Sequence, residues 1–204
     1  MISTSLWVIV LIFIVVLAIA GFYIYRWHSR RRRGSDSFIM GLLAIVENDL
    51  DSALRHLRAA AAQDTQNIEA FVILGDILRQ RGDVARAKRI HTSLLARAFI
   101  RPAQKARVYK SLALDSAKEG KYEKALEYIN QALSVKRDAW SQQFLLDVLE
   151  TLGRWNDAFD VLSKMDGDGE LLALYRVEYG KSFMDDDPHR ARVLFKEALR
   201  HDPD

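Results

Sequence analysis

Large apolar residues recur at three- and four-residue intervals along most of the chain, and small residues punctuate them at fixed places. Between Ile68 and Phe99 the pattern occurs twice. Phe71, Leu74, Gly75 and Leu78 fall on one helical face, Arg81-Gly82-Asp83 interrupts the pattern, and Val84, Ala87, His91, Leu94 and Leu95 resume it. This spacing predicts two amphipathic helices joined by a tight turn. Gly75 and Ala87, set among larger neighbours, allow two antiparallel helices to approach closely.

The same order recurs along the sequence. Gly41 and Ala53 lie 34 residues before Gly75 and Ala87, with Glu47-Asn48-Asp49-Leu50-Asp51 at the turn. Ala113, Gly120-Lys121-Tyr122 and Ala125 follow after a four-residue insertion, which predicts an irregular joint from Phe99 to Pro102. Pro102 then suits the first turn of the next helix, where its missing N–H costs nothing. A fourth unit carries Leu145, Leu146, Gly153-Arg154-Trp155 and Ala158, 33 residues on. A fifth and looser one carries Tyr175, Gly180, Asp185-Asp186-Asp187-Pro188, Ala191, Phe195, Ala198 and Pro203, with one residue missing from its turn. A helix-turn-helix period of 34 residues is that of tetratricopeptide repeats. The predicted fold class is therefore all-α, an N-terminal transmembrane helix followed by a repeat solenoid over residues 35–204, with repeats near 35–67, 68–101, 102–138, 139–171 and 172–204.

The first residues follow another pattern. After a short tail at 1–5, residues Leu6 to Tyr25 give twenty positions without a charge, roughly 30 Å of helix at about 1.5 Å per residue. Arg26, Arg30, Arg31, Arg32 and Arg33 follow within a basic segment at 26–34, and no charged side chain precedes the run, so the positive-inside rule predicts a single-pass anchor with the repeats in the cytoplasm. Tyr25 and Trp27 suit the membrane interface. The alternative is a cleaved signal peptide with Ala18-Ile19-Ala20 as its cleavage site, but the charge is on the wrong side and the apolar run is too long. Gly34-Ser35-Asp36-Ser37 is expected to form a short hinge, with Ser35 or Asp36 capping the first repeat helix.

Charge then changes one reading. The chain has 30 basic and 27 acidic residues, net +3, but five arginines and no acid precede Gly34, leaving 25 against 27 in the remainder. The basicity belongs to the membrane border, and topology and headgroup contact explain the arginines better than nucleic acid does. The absence of cysteine excludes disulfides, thiolate zinc sites and cysteine nucleophiles.

No residue constellation suggests an enzyme, a cofactor or a metal. His28, His56, His91, His189 and His201 have neither ligand spacing nor a carboxylate and nucleophile in register, and His91 on an inward helical face reads as a packed core residue. Asp166-Gly167-Asp168-Gly169-Glu170 lacks the oxygen positions and distant glutamate of a calcium loop and reads as an inter-repeat turn. Asp185-Asp186-Asp187 before Pro188 suits a helix start.

What remains is surface for binding. In a tetratricopeptide array the first helix of each pair lines the concave groove, through its second, fifth, ninth and twelfth places. Those places hold Glu69, Val72, Asp76 and Arg79 in the second repeat and Arg107, Lys110, Leu114 and Ala117 in the third. In the fourth they hold Trp140, Gln143, Asp147 and Glu150. The groove mixes signs, and Trp140 is a plausible anchor for a partner side chain. The same places of the first repeat, Ser35, Phe38, Leu42 and Ile45, are too apolar to be left in water, so a membrane, a second subunit or a partner should cover them. The Lys and Asn pattern of carboxylate-clamp tetratricopeptide proteins is not matched.

Leu74-Gly75-Asp76, Arg79, Arg81-Gly82-Asp83, Arg86-Ala87 and Arg89-Ile90-His91 resemble the second repeat of the lipopolysaccharide assembly protein B family. The four arginines are not needed to pack helices, so Arg79, Arg86 and Arg89 in particular are expected to meet acidic groups on a partner. The resemblance continues more weakly through Leu112-Ala113, Asp115, Gly120-Lys121-Tyr122 and Ala125. It implies an inner-membrane adaptor that limits lipopolysaccharide synthesis by helping a membrane-bound AAA protease degrade the deacetylase that commits lipid A synthesis. Members of the family have more repeats and a rubredoxin-like zinc module with paired Cys-x-x-Cys motifs, so this sequence reads as a shortened relative without that module, a fragment, or a different membrane-anchored tetratricopeptide protein. The alternative is a scaffold for membrane-assembly enzymes with no role in proteolysis. The partners expected are other proteins and the membrane, with a second copy of the chain kept open and nucleic acid excluded.

Overall fold

The computed structural model describes residues 2–98, 100–165 and 169–201, and the side chains of residues 2–6, 8–10, 12 and 27–33 lie outside that description. Among the described residues there are ten helices and no strand. They are α1 (Ile2–Val46), α2 (Leu50–Gln63), α3 (Ile68–Gln80), α4 (Val84–Leu95), α5 (Pro102–Lys118), α6 (Tyr122–Val135), α7 (Ala139–Thr151), α8 (Trp155–Ser163), α9 (Gly169–Lys181) and α10 (Pro188–His201). The chain divides into two units, Met1–Ile77 and Leu78–Asp204, with the boundary inside α3.

One turn recurs. Three residues separate α1 from α2, α3 from α4, α5 from α6 and α7 from α8, and the middle one has positive φ: Asn48 at 58°, Gly82 at 84°, Gly120 at 73° and Gly153 at 67°. Glycine adopts this conformation without a Cβ clash, and asparagine tolerates it better than most side chains. The next residue donates its N–H back to a carbonyl five positions earlier, at 2.8 Å for Asp49 to Ala44 and 2.9 Å for Asp83 to Leu78, which satisfies an end carbonyl of the preceding helix. The same residue starts the following helix: the Asp49 and Asp83 carboxylates accept the N–H groups of Ser52 and Arg86 as N-caps. Pro102 opens α5 as expected, and Asp187 caps α10 by accepting the Arg190 N–H at 3.0 Å. Phe99, residues 166–168 of the presumed inter-repeat turn, and Pro203 lie outside the described residues.

In the first unit, α1 packs along α2 around Ala53, Leu57 and Ala60, all fully buried. Burying a leucine stabilises by about 1.5–3 kcal/mol. A Cβ placed on Gly41 would stand 2.9 Å from Leu57 Cγ, so the small residue is needed where the helices touch. The hinge expected at Gly34-Ser35-Asp36-Ser37 is not there. α1 runs through these residues unbroken. Gly34 is buried, and a Cβ on it would come within 3.3 Å of Asp64 Cβ, while Ser37 Oγ donates to Gln63 Oε1 at 3.4 Å. Contact with the end of α2 therefore holds the segment helical, and neither Ser35 nor Asp36 caps anything.

The uncharged run also lies within α1. Among the described residues no helix is long and apolar enough to cross a membrane, so the transmembrane helix expected over residues 6–25 is not seen as such. The side chains of Leu6, Val8, Ile9, Val10 and Ile12, which make up the start of that run, fall outside the description. The large apolar side chains described between Leu11 and Tyr25 are 49–74% exposed. Farther along α1, Ile39, Leu42, Leu43 and Val46 are exposed as well, whereas Phe38 and Ile45 are half-buried.

In the second unit each helix from α4 to α10 packs on the next. The core runs through Ala113, Ala125, Ile129, Leu146, Ala158 and Tyr175, with small residues where helices approach and large ones between.

Candidate protein-binding face on α5 and α7

The arginine-rich second repeat is not the free basic surface that its sequence suggested. Arg79 turns inward: its Nη1 donates to Asp115 Oδ1 at 2.9 Å and to the Ser111 carbonyl at 3.4 Å. The other Asp115 oxygen lies 2.6 Å from His91 Nδ1, and both side chains are fully buried. A carboxylate in such a place needs hydrogen-bonded partners, because leaving it unpaired would carry the whole desolvation cost. Arg79, α4 and α5 are thus fixed to one another through Asp115, which periodicity alone did not single out. His91 is the core residue expected of it, but with a carboxylate in register after all. Arg86 forms an ion pair with Asp83, the N-cap of its own helix, and Arg89 is exposed. Hydrogen bonds from Arg86 outweigh desolvation and hold the Asp83 carboxyl below its ordinary range.

A different set gathers on α5 and α7. Asp138 caps α7 by accepting the Ser141 N–H, and Lys110 Nζ reaches across from α5 to the same carboxylate at 2.8 Å. Burial pulls the Asp138 carboxyl up, but the Lys110 and Ser141 hydrogen bonds and the Lys110 charge together outweigh it and hold the group low. The Lys110 ammonium also lies 5.2 Å from the Trp140 ring centroid, and the Trp140 ring stacks on Phe144 at 5.3 Å with planes 6° apart. Trp140 is nonetheless 45% exposed, so a rigid aromatic surface with a cation beside it faces solvent. One turn on, Gln143 Nε2 donates to Asp147 Oδ1 at 3.1 Å, and both residues are exposed. Arg107 is exposed on α5, whereas Leu114 and Ala117 are half-buried.

The remaining groove positions separate. Glu150 accepts a hydrogen bond from Tyr175 of α9, and burial followed by that carboxylate raises the phenol above its ordinary range. In the first unit Glu69 and Asp76 are half-buried, and Val72, placed in the groove by its position in the repeat, is fully buried. Of the basic border, Arg26 is exposed, and the side chains of Arg30, Arg31, Arg32 and Arg33 lie outside the described residues. Among the described residues no group of three His, Asp or Glu side chains could hold a metal ion.

Helix pairs, the turn that recurs within the first four pairs and the small residues where paired helices touch make this a tetratricopeptide-repeat protein of the all-α solenoid class. The fold is shared with MamA, whose crystal structure covers 84% of this chain and 92% of its own at a TM-score of 0.60 and 17% identity. It is shared as well with YrrB, a TPR protein with an unusual peptide-binding site (TM-score 0.58, 18% identity, 82% of this chain and 86% of that one). In sequence the chain is similar to lipopolysaccharide assembly protein B of Escherichia coli (strain K12), at 28% identity over 197 residues. The family read from the second repeat is the one that comparison returns. The match takes in 87% of this chain and 50% of the relative, so the chain spans about half the length of the curated relatives it matches. No family model matches the chain.

Proposed function

We propose that the protein is a tetratricopeptide adaptor of lipopolysaccharide assembly. It binds other proteins on the α5–α7 face, at the cytoplasmic side of a bacterial inner membrane, and modulates proteolysis of the lipid A biosynthetic deacetylase by a membrane-bound AAA protease. The observation that carries this reading is the similarity to lipopolysaccharide assembly protein B along most of the chain. The exposed Trp140 ring beside Lys110 supports the binding role, since aromatic and cationic side chains dominate protein interfaces. The anchor rests on the uncharged stretch from Leu6 to Tyr25, on the exposed apolar side chains of that part of α1, and on the arginines after it. Tethering raises the effective concentration of any membrane-bound partner, so a modest interface suffices.

The test is the half-life of the deacetylase in cells whose own gene has been removed. Removal should lengthen the half-life, wild-type protein should restore it, and Trp140→Ala with Lys110→Glu should not. An unchanged half-life on removal would replace the protease adaptor with a scaffold for membrane-assembly enzymes. For topology, a cysteine at Ser3 should react with an impermeant thiol reagent from outside and one at Ser134 should not; the reverse pattern would sink the cytoplasmic placement.

A further inference from the structure

On another side of the second unit, α6, the joint after it, α7 and α8 line a half-open cleft of about 400 Å³, inside the range of small-ligand pockets. Leu133, Leu145 and Val161 line its apolar part. Arg137 and Lys164 contribute two cations and Asn130 and Gln142 two amides, while among the described residues no acidic side chain lines the cavity. Several other cations of this unit are matched: Lys88 with Glu119, Lys110 with Asp138, Arg154 with Asp157, Arg176 with Glu197 and Lys181 with Glu178. Neither Arg137 nor Lys164 is in an ion pair among the described residues, so this cavity concentrates unspent positive charge beside apolar surface.

We propose that this cavity binds an extended peptide segment carrying an acidic residue next to an aliphatic one. The carboxylate is taken by Arg137, whose planar fork matches it with two parallel hydrogen bonds, and by Lys164 as a point charge. The aliphatic side chain rests on Leu133, Leu145 and Val161. Asn130 and Gln142 favour a peptide over a simple anion or an acyl chain, because a primary amide offers both a donor and an acceptor and so pairs with a backbone peptide group. Ser134 contributes no donor, since its hydroxyl proton already goes to the Gln131 carbonyl at 2.9 Å within α6. The pocket is separate from the α5–α7 face, and its occupation does not depend on the function proposed for that face.

The experiment uses the full chain with 13C-labelled methyl groups and an N-acetylated, C-amidated hexapeptide with Leu-Glu at its centre. Saturable shifts of the Leu133, Leu145 and Val161 methyls are expected. Leu-Gln and Ala-Glu peptides and sodium acetate alone serve as controls, and each should bind at least tenfold more weakly. Arg137→Gln with Lys164→Gln, both exposed positions, should weaken the Leu-Glu peptide at least tenfold and leave the thermal midpoint unchanged. Equal binding of acetate, unchanged binding by the double variant, or shifts confined to residues around Trp140 would each overturn the proposal.

Discussion

Two carboxylates in the second unit are built from the same parts and do opposite things. Asp115 holds Arg79 and His91 where no water reaches it, and Asp138 holds Lys110 and the start of α7 at the surface beside Trp140. Coulomb attraction is present in both, but the dielectric differs. Around Asp115 every partner is obligatory, because removing one strands a buried charge. Around Asp138 water can replace part of what is lost, and the pair holds the ammonium beside the exposed indole. Arginine at a repeat surface therefore does not by itself mark a binding site; depth decides which role it serves.

The largest effect should come from Asp115→Ala. Stranding Arg79 and His91 should cost about 3–5 kcal/mol in urea-induced unfolding, and a loss below about 1 kcal/mol would mean that the buried set carries no stability. Next is Trp140→Ala, which should weaken partner capture by 2 kcal/mol or more, roughly 30-fold, as truncated aromatic anchors do. If that variant loses stability but not binding, the surface cluster is structural like its buried counterpart. Lys110→Ala should cost only about 0.2–1 kcal/mol of stability, the range for ion pairs that water reaches, since the Lys110–Asp138 pair is half-buried and not enclosed. A cost as large as that of Asp115→Ala would erase the contrast. The smallest effect is in pH. Because the folded Asp138 carboxyl lies below its unfolded value of about 3.9, its contribution is complete above that value and is lost as pH falls through the lower folded one. The difference in melting temperature between the wild type and Asp138→Asn should thus be constant above about pH 5 and shrink toward pH 3.

By itself the sequence determined the local structure. Positive φ at Gly82, Gly120 and Gly153, the aspartate caps, Pro102 at the head of α5 and the close approach at Gly41 are all set by single residues whose backbone or size requirements act over a few positions. The arginine-rich second repeat already carried the resemblance to lipopolysaccharide assembly protein B that the sequence comparison returns. Only tertiary structure decided where the charges go. His91 and Asp115 are 24 residues apart and Arg79 and Asp115 are 36 apart, so no helical period links them, and the structure alone turned Arg79 from a surface cation into a half-buried partner of a buried carboxylate. Gly34 shows the same limit. A glycine followed by serine and aspartate carries the local signal of a break, but contact with Gln63 and Asp64 lies far along the chain and keeps α1 helical. Local preferences amount to about 1 kcal/mol per residue, and packing between distant segments exceeds them wherever the two disagree.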